Sequence, residues 1–184
     1  MKPKLKLGKV EIRKSRMSDA TAISKILDDD RVVNNLTDIP SPYTLRCAKK
    51  DIENSLKYWK QKKGYAFTII YDSVVVGQVF LEDPARGMKA YSIGYYIAYD
   101  YWGRGIATNA AKLAVKYGFN SLGLKKIWGD NDSDMSASGR VMEKAGFKQE
   151  GLMKKQVYRK TSKGKEKYVD LVIWGKINRW IMNE

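Results

Sequence analysis

The chain has 184 residues, 35 lysines and arginines against 20 aspartates and glutamates, a formal charge of +15, one cysteine and no histidine. Without histidine, Ser-His-Asp and Cys-His catalysis are excluded, and one thiol with carboxylates makes a poor zinc site, so no metal is expected. Cys47 alone allows no internal disulfide, which suits a reducing cytoplasm, and no apolar run has the length of a membrane span.

The N-terminal stretch 1–9 is basic and has no apolar core after it, so it is read as an extension rather than a signal peptide. Val10 to Arg13 alternates as a first strand. Ser18 is placed to cap a helix to about Leu27, with Ala22, Ile23, Ile26 and Leu27 on one face, and residues 31–36 add a short helical turn. Pro40 and Pro42 make 37–43 a loop. Thr44 then caps a long helix to about Lys62, in which Leu45, Ala48, Ile52, Leu56 and Trp59 form a stripe that includes Cys47 nearby.

Tyr65 to Tyr71 and Val74 to Leu81 read as a hairpin about Asp72-Ser73. After a polar loop from Glu82 to Lys89, a strand from about Ala90 to Tyr99 runs into Tyr101-Trp102-Gly103-Arg104-Gly105. A helix from Ile106 to about Leu122 follows directly, then a strand at 124–129. Glycine at 103 and 105 permits positive φ, and a turn opening straight into a helix presents unpaired N–H groups at the positive end of the helix dipole. Such a turn is a seat for an anion, above all a phosphate. Thr108 stands where the dinucleotide fingerprint needs its third glycine, and the Gly-Lys-Ser/Thr of the phosphate-loop NTPases is absent. Taken alone, the turn is equally consistent with a simple helix start.

A short helix from Ser136 ends at Gly146 and is followed by a strand. Strands at 157–158 and 168–174 flank a basic loop, 159–167, and a short terminal helix closes the chain. No repeat or linker interrupts this order, so the chain is expected to form one α/β domain.

Two motifs about thirty residues apart carry a resemblance. Tyr-Trp-Gly-Arg-Gly-Ile-Ala-Thr (101–108) and Ser-Ala-Ser-Gly-Arg-Val-Met-Glu-Lys-Ala-Gly-Phe (136–147) resemble the GNAT superfamily of acyl-CoA-dependent N-acetyltransferases. Pro42-Tyr43-Thr44 and Ile93-Gly94-Tyr95 are similar to its Rim-type branch, which acetylates the N-termini of ribosomal proteins. The likeness runs from about Val10 to Lys176, so 10–184 is read as the acyltransferase domain. It implies an α/β (α+β) fold, in which a central mixed β-sheet flanked by helices splays apart to admit acetyl-CoA.

On this resemblance the pantetheine arm pairs with main chain near Ile97, Ala98 and Tyr99. The diphosphate sits on Gly103, Arg104, Gly105, Ile106, Ala107 and Thr108, with no metal. Ser138 takes the role of proton donor to the leaving thiolate. Four positions depart from the pattern: Trp102 replaces the Gln or Arg that opens the turn, and Met135 replaces an Asn before the serine. Met142 stands where many members carry a tyrosine, and Ser92 where the branch often has Glu. Glu82 and Asp83 are the remaining candidates for a base.

The acceptor implied is a protein N-terminal α-amine, with a polyamine, an aminoglycoside or a non-catalytic acyl-CoA- or RNA-binding role as alternatives. The basic surface suits association with the ribosome, and the sequence does not choose between a monomer and a homodimer.

Overall fold

Alternating and continuous apolar runs pair into a single sheet in the computed structural model, which describes residues 4–36, 39–82, 90–160 and 166–178. In chain order the strands are β1 (Lys4–Leu7), β2 (Val10–Lys14), β3 (Gly64–Tyr71), β4 (Val74–Glu82), β5 (Ala90–Ile97), β6 (Lys126–Asp132), β7 (Lys148–Lys160) and β8 (Glu166–Ile177). The helices are α1 (Ala20–Leu27), α2 (Asp30–Val33), α3 (Leu45–Gln61), α4 (Ile106–Leu122) and α5 (Ser136–Lys144). Sheet order is β1-β2-β3-β4-β5-β6-β8-β7. Every neighbouring pair is antiparallel except β5–β6.

That parallel pair is short. Ala90, Tyr91 and Ser92 pair with Lys126, Ile127 and Trp128, and the register goes no further, although β5 continues to Ile97 and β6 to Asp132. Each strand stays paired on its outer side, β5 with β4 and β6 with β8. The sheet therefore opens into a wedge between the last five residues of β5 and the last four of β6, the splay that the resemblance implied.

Each face of the sheet carries its own core. On one, Phe67, Ile69, Val79, Leu81, Ile93 and Ile127 pack under α4. On the other, Tyr96 and Phe80 meet Ile23, Leu27, Ala48 and Ile52 of α1 and α3. The stripe of α3 is core at Ala48 and Ile52, whereas Leu45 lies at the surface (41% exposed). Trp59 crosses to the other cluster, edge-on to Tyr65 and Phe67. The Thr44 cap forms as expected, its hydroxyl accepting from the Cys47 N–H at 3.3 Å, and Thr44 Oγ1 also lies 3.2 Å from the Cys47 thiol.

Ser18 does not cap α1. It sits inside a 3-10 turn, Met17–Asp19, and the neighbouring Asp19 is drawn inward instead. Asp19 accepts two bonds from Arg13 (2.7 and 2.8 Å), one from the Arg16 N–H (2.9 Å) and one from the Thr68 hydroxyl (2.7 Å). Gln78 donates to Ser15 at 3.0 Å, and Ser15 lies 3.1 Å from Thr68. The Tyr96 hydroxyl donates to the Gln78 amide oxygen, so a buried polar chain links β2 to the C-terminal end of β5.

Two elements differ from the sequence reading. Lys4–Leu7, within the basic extension, forms edge strand β1 by pairing with β2. The strand expected after Gly146 and the one expected at 157–158 are two parts of one long β7, whose register with β8 shifts between Met153 and Val157. The terminal helix and most of the Glu82–Lys89 loop, Asp83 included, lie outside the described residues. Among the described residues no helix is long and apolar enough to cross a membrane.

Candidate functional site

The inner edge of β5 forms one wall of the wedge. The Ala98 N–H donates to the Val76 carbonyl at 2.8 Å, and Gly77 stands opposite Ile97 in the β4–β5 register. Main-chain groups alternate sides along an antiparallel strand. Tyr96 and Ala98 therefore turn theirs toward β4, while Tyr95 and Ile97 turn theirs into the opening. Of the three residues expected to meet pantetheine, Ile97 faces the wedge, Ala98 commits its N–H to β4, and Tyr99 opens a 3-10 turn, Tyr99–Tyr101.

Trp102 has a partner that the sequence did not disclose: its indole N–H donates to the Ile97 carbonyl at 2.7 Å. Its ring packs against Tyr99 (centroids 5.0 Å apart), and Arg31 lies 4.0 Å over the Tyr99 ring. The residue that departs from the usual turn thus ties the loop to the edge of β5.

Gly103 and Gly105 both take the left-handed conformation, at φ +72° and +71°, with no heavy atom within 4 Å of where a Cβ would lie. The conformation, not crowding, requires glycine here. Gly105 is the N-cap of α4 and has no side-chain cap bond; the helical ladder starts with the Asn109 N–H on the Gly105 carbonyl at 3.1 Å. The N–H groups of Ile106, Ala107 and Thr108 precede that ladder and form the positive end of a 17-residue helix. Arg104, within the turn, donates to the Asp100 carbonyl (3.0 Å), with its guanidinium 5.2 Å from the Tyr101 ring.

The opposite wall is α5. The Ser138 hydroxyl lies in its first turn, 3.0 Å from the Tyr95 hydroxyl, which also donates to the Ser138 carbonyl at 3.2 Å. The Tyr95 side chain thus bridges the wedge from β5 to α5. Burial pushes its phenol up to about 12, against the opposing effect of the Ser138 bond. Asn131 accepts from the Trp174 indole at 2.7 Å and donates to the Asp132 carbonyl at 2.7 Å, fixing the turn into α5. Met142 is 1% exposed and faces Gly129, so the helix position that holds a tyrosine in other chains serves the core here.

Behind the sheet, on the α1/α3 face, a pocket of about 480 Å³ reaches β5. Tyr43, Asp51, Tyr58, Glu82, Gly94 and Tyr96 line it, and no described lysine or arginine does. The Tyr43 hydroxyl donates to Asp51. Burial, then that bond and the Asp51 charge, raise the Tyr43 phenol well above its ordinary range. Burial does the same to Tyr96. Glu82 is exposed at the end of β4, opposite Ser92 in the register. No cluster of metal-ligating side chains occurs among the described residues.

Residues 9–148 match the family model described as acetyltransferase (GNAT) domain, which is most of the chain. The chain belongs to the GNAT acetyltransferases. Among its GNAT relatives, the uncharacterized N-acetyltransferase YoaA of Bacillus subtilis (strain 168) is 26% identical over 160 residues, covering 86% of this chain and 90% of that one. Spermidine N(1)-acetyltransferase of Escherichia coli (strain K12) is 37% identical over 85 residues, 46% of each chain. The same fold occurs in RimL, a ribosomal L7/L12 alpha-N-protein acetyltransferase solved in complex with coenzyme A. Its TM-score is 0.84 at 17% identity, over 95% of this chain and 98% of that one.

The GNAT turn, Gly103 to Thr108, and the edge of β5 at Ile97 lie on one side of the wedge, with Ser138 across from them. Tyr95 is the residue of this site whose contact sequence reasoning missed. Ile93-Gly94-Tyr95 stood out only as a mark of resemblance, and nothing local announces a contact 43 residues away.

Proposed function

We propose that this acetyltransferase moves the acetyl group of acetyl-CoA to a primary amine, with the α-amine of a polypeptide N-terminus as its acceptor. The observation that carries the reading is the meeting of two differently charged surfaces at β5. An anion seat at the start of α4 lies on one side, and a pocket with two carboxylates and, among the described residues, no basic side chain lies on the other.

In this reading the diphosphate rests on the N–H groups of Ile106, Ala107 and Thr108, with Arg104 beside it. Pantetheine runs along the open edge of β5 as an added strand would. The Ile97 N–H, directed into the wedge, holds the oxyanion as the amine attacks the thioester carbon. The C–N bond forms, the C–S bond breaks, and the Ser138 hydroxyl gives the sulfur its proton, which is replaced through solvent by the one the amine releases. Tyr95 holds that hydroxyl in place.

An α-amine has a pKa of about 7.7–8.0, against about 10.4 for a lysine amine, so it needs the least help in losing a proton. That suits a site with Ser92 opposite Glu82 and with Asp51 already bonded by Tyr43. A small polyamine is the second reading. It is favoured by the carboxylates and aromatic rings of the pocket, whose local charge runs against the +15 of the chain.

Incubation with labelled acetyl-CoA and a panel of peptides with free N-termini, with spermidine alongside, separates the two by mass spectrometry. Acetyl on peptide α-amines is expected; acetyl on spermidine alone would move the acceptor to the second reading. The Ser138→Ala enzyme should lose about tenfold in kcat, the order of one proton-transfer contact for a good leaving group, with the KM for acetyl-CoA unchanged. Tyr95→Phe should lose about as much, and the double variant no more than either alone, because the two hydroxyls act as one unit. Additive losses would separate Tyr95 from the proton donor.

The basic surface supports a cytoplasmic protein drawn to ribosomal RNA. Co-sedimentation with ribosomes should fall steeply between low and physiological salt, and retention independent of salt would contradict that attraction.

A further inference from the structure

The face of β6 that looks away from α4 and α5 holds a carboxylate at the vertex of the wedge. Ile127 is buried in the core under α4, a Cβ on Gly129 would lie 2.4 Å from Met142 of α5, and the Asn131 amide lies 3.4 Å from the Met135 carbonyl before α5. Strand alternation puts Trp128, Asp130 and Asp132 on the other face. On β5 the same alternation sends Tyr95 toward Ser138 and puts Gly94 and Tyr96 in the pocket.

The last parallel pair is Ser92 with Trp128, and a Cβ on Gly129 would still be 3.1 Å from the Ile93 carbonyl. One step further along both strands, Asp130 stands across from Gly94 where the strands part. It is exposed, so an acceptor and water reach it from the face opposite Ser138.

We propose that Asp130 is the general base of the transfer, taking a proton from the acceptor amine directly or through one water. The inference rests on the amine-transfer reading and supplies the base that reading lacks. Nitrogen forms its bond to the thioester carbon and gives a proton to Asp130. The C–S bond then breaks, and the sulfur takes a proton from Ser138, which is replaced through solvent by the one Asp130 received. Base and acid thus stand on opposite faces of the sheet.

The charged surroundings fit the role. Asp132 lies two residues along on the same face, and Glu82 ends β4 beyond Ser92. Lys126, on that face, is neutralised by Glu150 at 2.6 Å, while β8 presents Ile173 opposite Asp130. Desolvation by its neighbours, and then the Asp132 charge, raise the Asp130 carboxyl above its ordinary range, toward the pH at which a base is most effective.

Asp130→Asn and Asp130→Glu test the assignment, with the amines that the wild type acetylates as acceptors. Asp130→Asn should bind acetyl-CoA as the wild type does in calorimetry, lose about 100-fold in kcat and lose the acid limb of its kcat–pH profile. Asp130→Glu should stay within about tenfold and keep an acid limb, and it carries the test if the amide variant folds poorly. Wild-type turnover matched within about threefold by Asp130→Asn, or an acid limb that survives in it, overturns Asp130 alone. A wild type that binds acetyl-CoA and acetylates no amine overturns the amine reading and the base with it.

Discussion

Asp19→Ala is expected to lower the free energy of unfolding by about 3–5 kcal/mol, the cost of leaving one partner of a buried ion pair alone. Asp19 is 3% and Arg13 12% exposed at their side chains, so neither charge can turn to water without moving the 3-10 turn. The variant also strips a partner from Thr68, which is fully buried and connects through Ser15 and Gln78 to Tyr96. Part of the loss should therefore appear as a higher KM for the acceptor, since Tyr96 and Gln78 line the pocket.

The sign of the pH dependence follows from the carboxyl. Burial opposes ionisation, but the bonds from Arg13, Thr68 and the Arg16 N–H outweigh it and hold Asp19 below the usual carboxylate range. A folded-state pKa below the unfolded one stabilises the fold above the unfolded value of about 3.9, and that contribution is lost as pH falls through the lower folded value. Urea unfolding of wild type and variant should show the full gap near neutrality and a narrowing gap below about pH 4. A gap that is constant with pH would detach it from the charge of Asp19.

Gly105→Val should weaken acetyl-CoA binding about 100-fold while costing the fold only about 1–2 kcal/mol, the order of forcing an L-residue into the left-handed region. Because the space around the missing Cβ is empty, the penalty is one of backbone conformation, and a branched side chain relieves it by turning the N-cap out of the left-handed region. That movement swings the N–H groups of Ile106, Ala107 and Thr108 away from their common target. Calorimetry and a thermal melt separate the effects. A large loss of affinity with a small fall in Tm is expected, and unchanged affinity would remove the turn from cofactor binding.

What the sequence disclosed was local. Thr44, the glycines of the turn and the apolar stripe of α3 each act within a few residues, so strand, turn and helix could be placed around them. The same signals failed where pairing across the chain decides. Lys4–Leu7 has no strong strand pattern, yet it is held by its neighbour, β2. Ser18 looked like the better cap because the pull on Asp19 comes from Arg13 and from Thr68, 49 residues away.

The site divides in the same way. Glycine motifs marked the anion seat, whereas the bridge from Tyr95 to Ser138 and the facing of Asp130 and Gly94 depend on where two strands separate. Composition does not encode that point. It arises because β5 and β6 each keep an outer partner while their shared ladder ends after Ser92 and Trp128.

Titration calorimetry with coenzyme A and with pantetheine, which lacks the diphosphate, probes the grip of the α4 amides most directly. One coenzyme A per chain, with pantetheine at least about 100-fold weaker, is the predicted result. Equal affinity for the two, or no heat with coenzyme A at all, would contradict it.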